Sequence, residues 1–192
     1  PLRLLDTYSS ERGDAADENI LNSTRSTDFI TPKGAVSKTF RNAVLELSRE
    51  LPFARKLVNS GRLSVPSFLT GSSLNTPDCE VFAGDMVPGA PMDDAPVLRD
   101  GQPGWLLRQV ADRFTLLVFG AADVELPALP VALQLLRVLP ADAPPQPGAL
   151  IDRDGHLTRR YDGRPGTCYL LRPDQHVAAR WRGFDAAALQ AA

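Results

Sequence analysis

The apolar positions in the first third of the chain recur every three or four residues, which is the period of an amphipathic helix. This spacing predicts a first helix over about residues 4–29, which the Pro-Lys-Gly sequence at 32–34 terminates. Ser37 is predicted to cap a second helix, and Pro52 to begin a third that ends near Gly61. The apolar positions that define these helices are Leu4, Leu5, Tyr8, Ala15, Ala16, Ile20, Leu21, Phe40, Val44, Leu47 and Leu51.

The rest of the sequence divides into a stretch rich in proline and glycine and a region of alternating elements. Residues 71–104 carry five prolines and five glycines with little periodicity, which predicts an ordered, extended linker. The predicted organisation is therefore a helical segment over 1–70, this linker, and an α/β domain over 105–192. Helices with one apolar face each need another surface to pack against, so segment 1–70 should complete a neighbouring domain.

Continuous apolar runs identify the first strands of the α/β domain. Phe114–Phe119 and Leu133–Val138 each suit a strand that is buried on both faces. A Pro173-Asp174 turn joins the last two strands into a hairpin. The other predicted elements are helices at 105–110, 154–161 and 184–191 and strands at 167–171 and 176–181. The order strand, connection, strand, helix, strand, strand, helix predicts an α/β fold class with a thioredoxin-like domain.

Charge and composition exclude several classes of function. The 21 basic and 23 acidic residues are well mixed and leave a net charge of −2, which argues against a nucleic-acid partner or an anionic membrane surface. No apolar run reaches membrane-spanning length. Cys79 and Cys168 lie outside any CxxC motif and only two histidines are present, so a metal centre is not expected. Low cysteine use fits a cytoplasmic location.

The chemistry of redox, metal and nucleotide sites is missing from the sequence. A thioredoxin-type site needs a reactive cysteine after the first strand, but residues 120–125 contain none, and Cys168 falls in a predicted buried strand. Asp152, Asp154 and Asp162 are interpreted as capping and turn residues, because the further oxygen ligands of a calcium loop are absent. No GxGxxG or Walker motif occurs. We therefore assign no catalytic, cofactor-binding or metal-binding residue.

Three segments resemble the flavoprotein aromatic hydroxylases, the family that contains para-hydroxybenzoate hydroxylase and phenol hydroxylase. Residues 4–12, LLDTYSSER, resemble the "LLDxYxxER" start of that family's long helix, although Gly13-Asp14 replaces the usual Arg-Pro. Residues 88–96 resemble its "PGxRxPD" segment, with Ala90 in place of arginine. The stretches at 114–120, 152–155 and 169–181 resemble the thioredoxin-like tail of the phenol hydroxylase and hydroxyphenylpropionate hydroxylase branch, which has lost its redox cysteines.

The resemblance implies a C-terminal part of an FAD- and NAD(P)H-dependent monooxygenase that hydroxylates an aromatic, phenolic substrate. The family's cofactor motifs lie upstream of "LLDxYxxER", so we expect this part to be structural or dimerising and to bind no FAD or NAD(P)H by itself. Its expected partners are the upstream flavin-binding domain and a second copy of the chain. The absence of an initial Met also suggests a longer parent protein. The alternative is a stand-alone thioredoxin-like interaction module without redox activity.

Overall fold

The computed structural model describes residues 2–59, 66–110, 112–121, 123–144 and 146–192. The chain divides into two compact units, Pro1–Ser67 and Phe68–Ala192. The first unit is helical, and the second contains a mixed seven-stranded sheet. The predicted α/β fold class is confirmed.

Three helices form the first unit: α1 (Leu2–Ile30), α2 (Ala35–Leu47) and α3 (Pro52–Asn59). All three match helices predicted from the apolar spacing, and Gly61 lies outside the described residues. The prediction that Ser37 caps α2 is wrong. The N-cap lies three residues earlier, at Gly34, which has extended backbone and makes no side-chain cap, because nothing after Pro32 prevents helical geometry. In the described part of the chain, no helix combines the length and the apolar character that crossing a bilayer requires.

Arginine side chains connect successive helices of this unit. The guanidinium group of Arg41 on α2 donates to the carbonyl oxygen of Ile30, the last residue of α1, at 3.1 Å. Arg55 on α3 donates to the carbonyl oxygens of Ser48 and Arg49, just after α2, at 2.8 and 2.7 Å. Carbonyl groups at a helix C-terminus have no partner within the helix, so these arginines satisfy them and fix the turns between helices.

The second unit is built on one sheet with the strand order β2-β1-β5-β4-β3-β6-β7. Its strands are β1 (Pro96–Arg99), β2 (Gln102–Trp105), β3 (Phe114–Phe119), β4 (Leu133–Pro140), β5 (Leu150–Asp152), β6 (Cys168–Leu171) and β7 (Val177–Trp181). Helices α4 (His156–Arg160) and α5 (Ala186–Ala191) follow β5 and β7. Residues 96–105, assigned by sequence mainly to the linker, form the β1–β2 hairpin, and a single 3₁₀ turn at Leu106–Arg108 stands in place of the predicted helix at 105–110.

Strand β3 is an inner strand of the sheet, between β4 and β6, and it is buried as its apolar sequence predicted. It pairs in parallel with β4 and antiparallel with β6, which in turn pairs antiparallel with β7. Leu117 and Phe119 belong to the larger core on one face, whereas Leu116 and Val118 belong to a second core on the other. This alternation follows from the two-residue period of a strand. The described residues of 120–132, which connect β3 to β4, contain no helix.

A tight turn at Asp100-Gly101 joins β1 to β2. Both residues have positive φ, 49° and 78°, which is the geometry of the two-residue turn that best matches the twist of a hairpin. Strand β2 is the border of the sheet on this side, and it contains Pro103, which has no backbone N–H to offer.

Candidate functional site

Residues 76–92, here called the strap, run along the free side of β7 and close the other border of the sheet. The backbone N–H groups of Gly89 and Met92 donate to the carbonyl oxygens of Val177 and Gln175, at 2.7 and 2.9 Å. Further back, the N–H of Thr76 donates to the carbonyl oxygen of Ala178 at 2.8 Å. The strap therefore supplies the hydrogen bonds that a neighbouring strand would otherwise make with β7.

Phe82 of the strap lies between two arginine side chains of the β7 region. The guanidinium carbon of Arg180 is 4.3 Å from the centre of the Phe82 ring, and that of Arg182 is 3.7 Å from it. The ring also meets Tyr169 of β6 edge-on, with ring centres 5.9 Å apart. A guanidinium over an aromatic ring is attracted by the negative face of the ring, so one phenyl group links both arginines to the strap.

Carboxylate and carbonyl oxygens accept hydrogen bonds from both arginines. Arg180 is buried, and it donates to both oxygens of the Asp78 carboxylate, the shortest contact at 2.6 Å, and to the carbonyl oxygen of Met86 at 3.0 Å. Arg182 donates to the carbonyl oxygen of Val81 at 2.9 Å and to the carboxylate of Asp162. A buried guanidinium needs such partners, because its charge is otherwise costly to remove from water.

Asp162 ties the turn after α4 to this cluster. Its carboxylate accepts the backbone N–H of Ala83 at 2.9 Å as well as the Arg182 side chain. The Ala83 N–H and then Arg182 stabilise the charged form, so the pKa of Asp162 lies below its ordinary value. We refer to Asp78, Phe82, Asp162, Arg180 and Arg182 as the arginine cluster.

Two buried tyrosines lie beside the arginine cluster in the larger core. The rings of Tyr161 and Tyr169 meet edge-on with centres 5.1 Å apart. The Tyr169 hydroxyl donates to the carbonyl oxygen of Tyr161 at 2.6 Å, and the Tyr161 hydroxyl donates to that of Asp93 at 2.8 Å. Burial raises the pKa of both phenols, so they act as neutral hydrogen-bond donors that fix the chain around them.

Gly120 and Ala121 follow directly after β3, in the segment where the sequence prediction looked for a thioredoxin-type thiol. Cys168 lies at the start of β6, fully buried, with its thiol 3.2 Å from the carbonyl oxygen of Gly166. Burial raises the pKa of this thiol to about 12, so little thiolate forms at neutral pH. Cys79 is exposed on the strap.

The three aspartates considered as a carboxylate cluster have separate structural roles. Asp152 accepts the backbone N–H groups of Leu157 and Thr158 at the start of α4, at 3.2 and 2.7 Å, which confirms the predicted capping role. Asp154 pairs with the exposed side chain of Arg153, and Asp162 belongs to the arginine cluster. Within the described residues, no group of three or more potential metal ligands is close enough to hold an ion.

The sequence has no glycine-rich turn whose amides could hold a pyrophosphate at a helix N-terminus. A groove beside the β1–β2 hairpin has a volume of about 80 Å³, which is room for two or three water molecules. It is lined by Pro96, Val97, Leu98, Pro103, Gly104, Arg153 and Asp154.

The helical unit carries many large apolar side chains that are exposed to solvent. They lie on all three helices and, for Leu51, in the turn between α2 and α3: Leu5, Tyr8, Ile20, Leu21, Ile30, Val36, Phe40, Leu45, Leu47, Leu51, Phe53 and Leu57. Soluble proteins seldom leave so many large apolar groups uncovered, and such surfaces commonly mark an interaction site.

Comparison with known proteins gives a likeness in structure but none in sequence. No protein-family model matches the chain, and no curated protein matches it in sequence. The flavin-dependent monooxygenase PieE, solved with FAD and substrate, covers 94% of this chain with a TM-score of 0.61 and 18% identity. Aklavinone-11 hydroxylase, solved with FAD and aklavinone, covers 98% with a TM-score of 0.56 and 20% identity. The chain has the fold of one part of these enzymes.

The substrate-free rebeccamycin biosynthetic enzyme RebC is a third similar structure, with a TM-score of 0.51 and 22% identity over 94% of this chain. The chain covers 37% of PieE, 34% of aklavinone-11 hydroxylase and 31% of RebC, so it spans about a third of their length. A match over 94% or more of the chain includes residues of both the helical unit and the sheet unit.

The sequence does not predict the arginine cluster, because its members are far apart along the chain. Asp78 and Arg180 are separated by 102 residues, as are Glu80 and Arg182. The sequence carries one weak sign of this contact. Acidic residues at 78 and 80 precede Phe82 at two-residue spacing, and arginines at 180 and 182 show the same spacing. Period-two charges of opposite sign are typical of adjacent extended segments.

Proposed function

We propose that the chain is one part of an FAD-dependent monooxygenase that hydroxylates an aromatic substrate and takes its reducing equivalents from NAD(P)H. The observation that carries the proposal is a fold shared with two flavin-dependent enzymes solved with FAD, over nearly the whole chain and across both units. The sequence resemblance at residues 114–120, 152–155 and 169–181 supports the phenol hydroxylase and hydroxyphenylpropionate hydroxylase branch. The cytoplasm is the proposed location.

In this proposal the sheet unit is a thioredoxin-like domain whose role is structural. Its strand order β4-β3-β6-β7, with one parallel pair followed by two antiparallel pairs, supports that assignment. Helix α5 after β7 supports it further. The buried thiol of Cys168 and the cysteine-free turn at Gly120 favour a domain that stabilises the enzyme without redox turnover. The alternative of a stand-alone interaction module is disfavoured, because the structural likeness includes the helical unit as well.

The helical unit is proposed to complete the flavin and substrate domain that precedes it in the parent enzyme. Its exposed apolar side chains, among them Tyr8, Phe40 and Phe53, are the surface that such a domain would cover. Each square ångström of apolar surface removed from water stabilises by about 25 cal/mol. A chain deprived of that cover is therefore proposed to pair with a second copy, in a two-fold dimer.

The flavin assignment is tested on the complete reading frame that contains this chain. The purified full-length protein should carry FAD, should oxidise NAD(P)H when an aromatic substrate is present, and should have a GxGxxG fingerprint upstream of the helical unit. A full-length protein without flavin or fingerprint would contradict the proposal. Residues 1–192 purified alone serve as the control and should show no flavin fluorescence; stoichiometric FAD binding by them would contradict the structural role.

The dimer is tested separately by light scattering across a concentration series of residues 1–192. The mass should approach twice that of the monomer as the concentration rises. Phe40→Ser and Phe53→Ser, which remove large apolar groups from the exposed helix surface, should weaken the association. A matched change on the sheet unit, Val81→Ser, should leave it unaltered. A monomeric mass at every concentration would exclude self-association.

A further inference from the structure

The outer part of the strap, residues 77–85, is held to the sheet in a different way from the rest. Met86, Ala90 and Met92 are buried in the larger core, whereas every residue of 77–85 except Phe82 is exposed. Phe82 itself is only partly buried, between Arg180 and Arg182. One aromatic side chain and a small set of polar contacts therefore hold all nine residues to the sheet. Segments with so few buried apolar contacts are typically those that open locally.

The contacts of this loop repeat at a constant offset along β7. Thr76 contacts Ala178, Asp78 contacts Arg180, and Glu80 accepts the backbone N–H of Arg182 at 2.7 Å. Each strap residue is 102 positions before its partner, so the loop enters as an extended segment parallel to β7. The surface beneath it combines the side chains of Arg180 and Arg182, the backbone N–H of Arg182 and the ring of Tyr169.

We propose that residues 77–85 form a releasable clasp over a peptide-binding groove, whose partner is an extended segment with carboxylates two residues apart followed by an aromatic residue. In the structure the clasp of the same chain fills this groove, and it carries the two carboxylates and the aromatic ring in Asp78, Glu80 and Phe82. Release frees the Arg180 guanidinium from Asp78 and the backbone N–H of Arg182 from Glu80, and each can then bind a carboxylate of another segment, while the Arg182 side chain stays paired with Asp162. The inference is independent of flavin chemistry.

Hydrogen exchange on the full chain tests the release. In the wild-type protein, the amide of Ala83 should exchange at least about tenfold faster than those of Leu117 and Tyr169 in the central strands, since local opening needs less free energy than global unfolding. Phe82→Ala should speed exchange at Ala83 by a further factor of about ten or more, and Leu117, whose amide exchanges on global unfolding, should stay at least about tenfold slower than Ala83. Val81→Ala is the matched control, because that side chain is 90% exposed and should alter neither rate.

Two exchange results would overturn the clasp. Equal protection of Ala83 and Leu117 in the wild-type chain would show that the loop opens only with the whole sheet. Unchanged exchange at Ala83 in Phe82→Ala would show that the ring does not hold the loop. The wild-type measurement decides the question even where Phe82→Ala fails to fold.

A peptide in trans tests the groove. A synthetic peptide of residues 76–85 should bind the Phe82→Ala chain at least about tenfold more tightly than it binds the wild-type chain, whose groove is occupied. The same peptide carrying F82A, or carrying D78N and E80Q, should bind more weakly than the unmodified peptide. Equal binding of all three peptides, or no binding to either chain, would refute recognition of acidic and aromatic residues by the groove.

Discussion

Gly89, at the inner end of the strap, is a position where any side chain should destabilise the sheet unit. Its φ of 91° lies in the left-handed region that residues with a Cβ atom seldom adopt. A Cβ at this position would lie 2.5 Å from the carbonyl carbon and oxygen of Leu69 and 2.7 Å from the amide nitrogen of Thr70. These are backbone atoms, so Gly89→Ala requires the main chain to move.

The expected loss can be worked out from the bonds at this position. The Gly89 carbonyl accepts the N–H of Leu69, and its own N–H donates to the carbonyl oxygen of Val177, both at 2.7 Å. Left-handed geometry costs a residue with a Cβ about 1–2 kcal/mol. Weakening two backbone hydrogen bonds adds about 1 kcal/mol each. Gly89→Ala should therefore lower the free energy of unfolding by about 3–4 kcal/mol.

Thermal unfolding followed by circular dichroism measures this loss, which should lower the Tm by roughly 6–15 °C for a chain of this size. Gly101→Ala separates the two causes. Gly101 has a φ of 78°, but a methyl group added there would meet no atom within 4 Å, so a loss of about 1 kcal/mol is expected. Gly183 has neither constraint, so Gly183→Ala should change the free energy of unfolding little. A Gly89→Ala protein no less stable than Gly101→Ala would refute the steric argument.

Three further predictions concern polar side chains of the sheet unit. Thr115→Val should stabilise the chain by about 1 kcal/mol in urea denaturation, because the buried Thr115 hydroxyl has no hydrogen-bond partner among the described residues. A thiol reagent at neutral pH should label Cys79 quickly and Cys168 only on unfolding, since burial raises the pKa of Cys168 to about 12; equal rates would disprove it. Because the pKa of Asp162 is lowered in the folded state, its charged form stabilises the fold fully at pH values above the ordinary carboxyl pKa, and this stabilisation is lost as the pH falls through the folded-state pKa. In Asp162→Asn, the free energy of unfolding should therefore fall less steeply with decreasing pH in the acid range.

Local sequence patterns predicted the helices and strands whose positions depend mainly on residues close together along the chain. The apolar run Phe114–Phe119 predicted a strand buried on both faces, and in the structure β3 is an inner strand with a core on each face. The Pro173-Asp174 turn likewise predicted the β6–β7 hairpin. Helix spacing predicted α1–α3 to within a few residues, because each helix repeats its apolar positions over two or more turns.

Elements that depend on distant partners were missed. Strand β5 has three residues and is defined by its pairing with β4 and β1, so it has no period of its own. The β1–β2 hairpin was hidden by Pro96 and Pro103, although Asp100-Gly101 between them is a strong turn signal. The arginine cluster joins residues about a hundred positions apart, and no local pattern predicts which carboxylate pairs with which arginine.

The two borders of the sheet bear on how copies of the chain can associate. On one side the strap already occupies the hydrogen-bonding groups of β7, and on the other side Pro103 removes a donor from the short strand β2. A strand from another molecule therefore meets few unsatisfied backbone groups at either border, which disfavours the strand-by-strand growth that leads to fibres. Aggregation of this chain should accordingly be amorphous and sensitive to detergent, and thioflavin-type dyes that bind stacked strands should report little of it.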